Sequence, residues 1–132
     1  MFDTHPNVAT LRSIYADLTS IGRYCDDDVI LHAAERGHPG MQSVYVGRAA
    51  VEAKERDLIR ASGDTLMMDV RGIHANDYFG AVFGELCVGR NIERFRMPFC
   101  GLWVFRDGRV VEHWENAYDV AAFGRFLAEN PA

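Results

Sequence analysis

Five residues in this chain carry side chains suited to proton chemistry near neutral pH: His32, Glu85, His113, Glu115 and, as an amide, Asn116. A histidine titrates near neutrality and can take or give a proton, and a carboxylate does either once its environment tunes it. Glu85 and Glu115 are the candidate acids, with His32 as a partner. His113 lies two positions from Glu115, so the two share a face of any strand. Asn116 cannot take a proton at neutral pH but can donate to or accept from a substrate oxygen, as can Tyr15 and Tyr45. No pair of His or Cys has metal-ligand spacing. There is no Gly-rich phosphate loop, nucleophile elbow or dinucleotide fingerprint. The expectation is chemistry without a metal or cofactor.

The elements that would position these groups follow from hydrophobic period. Val8, Leu11, Ile14, Tyr15, Leu18 and Ile21 recur at helical spacing, which predicts one long helix with Asn7 as N-cap and a stop at Gly22. A short strand over Val29–His32 and another at Val44–Gly47 precede a second helix from Arg48 to Ala61. From Thr65 the period changes to two, predicting strands near 65–74, 78–88, 92–106 and 109–118. Their turns fall at Asn76-Asp77, Gly89-Arg90-Asn91 and Asp107-Gly108. Asp119 is placed to cap a last helix carrying Val120, Phe123 and Leu127. Two helices, a short strand, an antiparallel meander and a closing helix make an α+β domain spanning 1–132.

Hairpin geometry says which side chains meet. A turn centred on Arg90 sets Glu85 opposite Phe95 and Phe83 opposite Met97. The Asp107-Gly108 turn sets Asn116 opposite Phe99, Trp114 opposite Gly101 and Glu112 opposite Trp103. Opposed residues share a face. One face then holds Phe79, Phe83, Glu85, Phe99, Trp103, Trp114 and Asn116, an aromatic wall with two polar groups, suited to a small-molecule pocket. The other holds Cys100, Leu102 and Val104 with His113 and Glu115, an apolar patch suited to a homodimer interface. Pro98 inside a long strand predicts a bulge or an edge, and one bulge reverses every parity beyond it.

Composition narrows the partners. The 132 residues carry a net charge of −5, a pI near 5.4 and no Lys/Arg-rich run, which argues against nucleic acid. No apolar run approaches the roughly 20 residues that span a bilayer, and no basic-then-apolar leader is present. No membrane partner and a cytoplasmic location are expected. Three cysteines, Cys25, Cys87 and Cys100, form no CxxC pair and are expected to pack as small hydrophobes.

The order of elements, the "Asp-Asp-Val" strand start before His32, the opening Tyr45-Val46-Gly47-Arg48 of the second helix and the segment Gly89–Leu127 together resemble the nuclear transport factor 2-like cone fold. The resemblance is to its SnoaL-like polyketide cyclase and limonene-epoxide hydrolase branches. It implies a curved, mainly antiparallel sheet wrapped around helices and enclosing a blind apolar pocket. It also implies a cofactor-independent enzyme that isomerises, cyclises, dehydrates or opens an epoxide of a small hydrophobic oxygenated molecule. The alternative is a module that holds such a ligand without transforming it. By similarity to SnoaL-like cyclases, Glu112-His113-Trp114-Glu115 makes Glu115 the acid/base. By similarity to limonene-epoxide hydrolases, Asn116 stands at the general base's position and Phe83-Gly84-Glu85 at that of an Arg-x-Asp. By similarity to ketosteroid isomerases, Tyr15 stands where the oxyanion-hole tyrosine sits, and the base falls at Ala33 or His32. Phe83, Phe99, Trp103, Trp114 and Tyr45 would line the pocket. The first two alignments nominate opposite faces of the last strand.

Overall fold

The computed structural model describes residues 5–90 and 93–130. Helix α1 runs Pro6–Ala16, followed by a 3-10 helix at Leu18–Tyr24. Strands β1 (Cys25–His32) and β2 (Val44–Val46) precede α2 (Arg48–Ala61). Then come β3 (Met67–Ala75), β4 (Phe79–Arg90), β5 (Glu93–Arg106), β6 (Arg109–Ala117) and the closing helix α3 (Val120–Glu129). The six strands form one curved, unclosed sheet in the order β2-β1-β6-β5-β4-β3. All neighbours pair antiparallel except β1 and β6, which run parallel. This is the α+β architecture expected.

The expected single N-terminal helix is two. Its apolar stripe does continue through Leu18 and Ile21, but Asp17 leaves helical backbone and its carboxylate accepts from the Thr19 amide at 3.1 Å, starting the tighter turn. The cap also moves: His5, not Asn7, caps α1, with Pro6 at the first helical position. Asn7 is buried, and its amide donates to the Asn76 carbonyl at 3.0 Å, tying α1 to the β3–β4 turn. The last helix starts as expected, with the Asp119 carboxylate accepting from Ala122 N at 3.0 Å.

The core lies between the concave sheet face and the helices. Leu11, Ile14 and Ile21 from the N-terminal segment and Val51 from α2 pack on Leu31, Val82, Trp103, Phe105 and Val110. Helix α3 closes one end with Phe123 and Phe126 against Phe95, at centroid separations of 5.6 and 5.5 Å. Among the described residues no helix is long and apolar enough to cross a membrane.

Register is where the expected faces fail. At the β5–β6 turn, Asp107 and Gly108 both take positive φ (50° and 79°), the backbone of a two-residue hairpin turn, and Arg106 faces Arg109 as expected. One step further, Phe105 faces Val110 but Val104 faces Glu112, so Val111 is an extra residue on β6. This bulge reverses the parity of β6 beyond it. Trp103 therefore faces His113, and Leu102 faces Trp114. The β4–β5 hairpin is also displaced by an odd step. Gly89 and Arg90 continue β4, with Arg90 opposite Glu93, so Glu85 faces Pro98 rather than Phe95. The Asn91 part of the expected turn lies outside the described residues. Pro98 itself causes no bulge on β4. Its carbonyl accepts from Tyr118 N just past the end of β6, so the amide hydrogen it lacks would have had no strand partner.

Candidate functional site

The concave face carries Met97, Phe99, Gly101 and Trp103 of β5, Val82 and Leu86 of β4, and His113 and Glu115 of β6. Of the aromatic wall expected from the sequence, Phe99 and Trp103 are here. Phe79, Phe83, Glu85 and Trp114 are not: they lie on the convex face, for the two register reasons above. The sequence-predicted residues that the fold brings together are Tyr15, Phe99, Trp103, His113 and Glu115.

They surround a cavity of about 80 Å³, against about 10–15 Å³ for one water. The space suits several waters or a small organic group. Its walls are mostly apolar, with Leu18, Leu58, Leu66, Met68, Leu86 and Phe123 among them.

Helix α1 delivers Tyr15 from above. Its ring stacks on Phe99 at 5.6 Å and meets Trp103 edge-on at 5.8 Å. The Trp103 indole N–H donates to the Tyr15 hydroxyl at 3.3 Å, leaving that hydroxyl's own proton for another acceptor. Burial pushes the phenol's pKa up, so it remains protonated. Gly101 makes the approach possible, because a Cβ there would collide with the Tyr15 hydroxyl and crowd Trp103 Nε1.

His113 is 5% exposed and lies flat on Trp103, with ring centroids 3.4 Å apart. Its Nδ1 is 2.9 Å from the Leu102 carbonyl, which can only accept. That contact assigns the proton to Nδ1 and leaves Nε2 as a base. Burial lowers the imidazole's pKa to about 4, against the opposing pull of Glu115 and the Leu102 hydrogen bond. His113 is neutral at physiological pH.

Glu115 meets an acid that sequence reading missed. Glu55, on α2, is 2% exposed, lines the cavity and hydrogen-bonds Glu115. Burial, the Glu115 charge and that hydrogen bond raise Glu55 well above the usual carboxylate range. Burial would raise Glu115 too, but the Lys54 ammonium, the Glu55 hydrogen bond and His113 outweigh it and hold Glu115 below its ordinary value. The pair is one neutral acid and one carboxylate. Lys54 reaches Glu35 at 3.4 Å and lies 5.8 Å from the Tyr45 ring centroid. Burial would lower its pKa, yet the surrounding carboxylates keep it raised. The signal for Glu55 was present: it falls at helical spacing between Val51 and Leu58, an acid on an otherwise apolar stripe.

The remaining candidates sit elsewhere. His32 points to the convex face, stacked on Trp114 at 4.5 Å with Nε2 2.6 Å from Glu112 Oε2. Glu85 lies among Arg71 and Arg96, each 3.0 Å away, with Asp69 alongside. Phe83 stacks on His74 at 6.3 Å. Asn116 is at the cavity rim, where its Oδ1 accepts from Arg36 at 2.6 Å. Arg36 also donates to the Ala33 and Glu115 carbonyls at 2.9 and 2.7 Å, clamping the ends of β1 and β6. Tyr45 packs beside Lys54 on the concave side. Among the described residues, no group of three or more His, Cys, Asp or Glu side chains is placed to hold a metal. The cysteines are free, with Cys25 buried.

A curved, unclosed sheet wrapped around helices, with an apolar cavity between them, defines the nuclear transport factor 2-like class. The SnoaL-like domain family matches residues 14–113, and the chain belongs to it. Solved structures agree on the fold. Bal32a, from a soil-derived mobile gene cassette, is 22% identical over 92% of this chain and 96% of its own, with a TM-score of 0.77. TerC, co-crystallised with polyporic acid, is 19% identical over 93% of this chain and 98% of its own, with a TM-score of 0.75. IdmH from Streptomyces antibioticus, provisionally assigned as a polyketide cyclase, is 19% identical over 92% of this chain and 99% of its own, with a TM-score of 0.72. No curated protein matches.

Proposed function

We propose that this chain is a cofactor-independent acid/base enzyme acting on a small, hydrophobic, oxygenated metabolite, and that it isomerises or cyclises that molecule. One observation carries the reading: buried His113 and partly buried Glu115 share one strand face beside the Tyr15 hydroxyl, around an apolar cavity. A carboxylate held ionised by Lys54 can remove a proton beside a carbonyl, with neutral His113 Nε2 as a second acceptor. The Tyr15 O–H supplies a hydrogen bond to the oxygen on which charge gathers. The apolar walls exclude water and strengthen each of these interactions. A polyketide cyclase assignment for IdmH and an organic acid in TerC's crystals are in keeping with an oxygenated ligand. Epoxide opening has less support, since Asn116 spends its amide oxygen on Arg36.

The test is proton exchange. Cyclohexenone in D2O, followed by proton NMR, should exchange its carbonyl-adjacent hydrogens faster with the protein than without. Glu115→Gln should slow that catalysed exchange by about 10²-fold or more. A shift of the Trp103 indole signal with no exchange would favour a ligand-holding module instead. We also propose a homodimer through the convex face, where Phe79, Phe83 and Leu102 are exposed. Light scattering should then report twice the 14.9 kDa chain mass.

A further inference from the structure

We propose that Glu55 is the proton-donating acid of this site: its carboxyl, hydrogen-bonded to Glu115 at the cavity wall, holds the single proton of the pair and gives it to the ligand oxygen. This rests on the acid/base reading above and adds a residue that neither strand motif contains.

Helix α2 is rich in charge, with Glu52, Lys54, Arg56, Asp57 and Arg60 partly or fully exposed, yet Glu55 is turned inward and 2% exposed. A lone glutamate in that position would be costly to bury charged, and a structural need would be met equally well by leucine or glutamine. Instead it shares the cavity wall with a second, partly buried carboxyl, Glu115 of β6. Sharing the cavity wall with it are Glu115 from β6, Glu35 from the loop after β1, Tyr15 from α1 and its helix neighbour Lys54. Two of those are acids and one is a cation, so a second full negative charge at Glu55 has no counter-ion of its own. Two abutting carboxyls then retain one proton, and the Ala34 amide, which donates to Glu115 Oε1 at 3.4 Å, places the charge on Glu115.

That arrangement supplies both halves of a proton transfer. Glu115 takes a proton from the carbon between a carbonyl and a C=C bond; the C–H electron pair becomes a new C=C bond and the carbonyl π pair moves to the oxygen. Glu55 delivers its proton to that oxygen, giving an enol. The pair now holds its proton on Glu115 instead of Glu55, with the same total. Return of the Glu115 proton to the far carbon of this conjugated enol, and of the enol proton to Glu55, restores the carbonyl with the C=C bond shifted by one position, an isomerisation with no other reactant.

Carbon-13 NMR of glutamate-labelled protein tests the inference without a substrate. At pH 7 the wild type should show one protonated glutamate side chain. That signal should vanish in Glu55→Gln and persist in Glu115→Gln. A wild type with every glutamate ionised at pH 7 overturns the proposal even if no variant folds, as does a protonated signal that survives Glu55→Gln. In the cyclohexenone assay Glu55→Gln should lose about 10²-fold. Full exchange in that variant overturns Glu55 as donor while leaving Glu115 as base. No exchange in the wild type removes the acid/base reading, and the NMR result stands or falls separately.

Discussion

The two faces of the sheet carry nearly the same trio. On the concave face His113 lies on Trp103 with Glu115 two residues along; on the convex face His32 lies on Trp114 and pairs with Glu112. What separates them is water. The inner histidine is buried and kept neutral, and the inner glutamate is held below its ordinary pKa by Lys54, Glu55, His113 and the Ala34 amide. The outer pair keeps 22% and 31% of its side-chain surface in solvent, where charge is stabilised without help. Residue type therefore nominated both trios, and burial singles out the concave one as the proposed site.

The most damaging way to break the comparison is to remove the extra residue that assigns the faces. Deleting Val111 should return β6 to the register of its turn. Trp114 and Asn116 would be driven inward and His113 and Glu115 outward, so cooperative thermal unfolding followed by circular dichroism should be lost. A well-folded deletion variant would show that the bulge does not determine parity. The tryptophans come next. Trp103, 1% exposed, should cost about 3–5 kcal/mol on truncation to Ala, and Trp114→Ala distinctly less, by urea titration. Equal losses would erase the distinction between the faces.

A smaller effect sharpens the comparison through pH. The folded His113 pKa of about 4 lies below its ordinary 6.5, so the unfolded chain takes up a proton first as pH falls. Its contribution is constant above about 6.5, declines toward 4 and then levels, a loss of up to ~3 kcal/mol. Glu55 slopes the opposite way: its raised pKa makes the fold gain stability as pH falls toward the unfolded value of 4.5. The His113 share is thus the difference between wild-type and His113→Gln stability profiles, and parallel profiles would refute it. Smallest should be Glu112→Gln on the convex face, a change within about 1 kcal/mol.

The order of elements, the β5–β6 turn and the Asp119 cap were legible because each depends on a few neighbouring residues. The faces were not. Parity along β6 depends on Val111, a valine unremarkable in any strand, and parity along β4 on a turn displaced from Arg90. Each displacement was odd, so the β5 residues were grouped correctly among themselves but with the wrong neighbours on both sides. Glu55 escaped for a different reason. A glutamate in a charged helix reads as solvated, and only its spacing from Val51 and Leu58 marks it as inward. The break at Asp17 was equally hidden, because the apolar stripe runs straight through it.

The one parallel pairing in the sheet has a kinetic consequence. His32 of β1 and Glu112 of β6 are 80 residues apart, and between them lie α2 and four strands. Closing so long a span is entropically slow compared with zipping the β3–β6 hairpins, each of which joins near neighbours. The meander can form as it emerges during synthesis, while β1 must wait with its apolar residues uncovered until nearly the whole chain has been made. Docking of β1 also brings in Arg36 and the Ala34 amide that hold Glu115. The proposed site would thus be completed late in folding, and a chain stalled just before it would look largely folded yet lack that site.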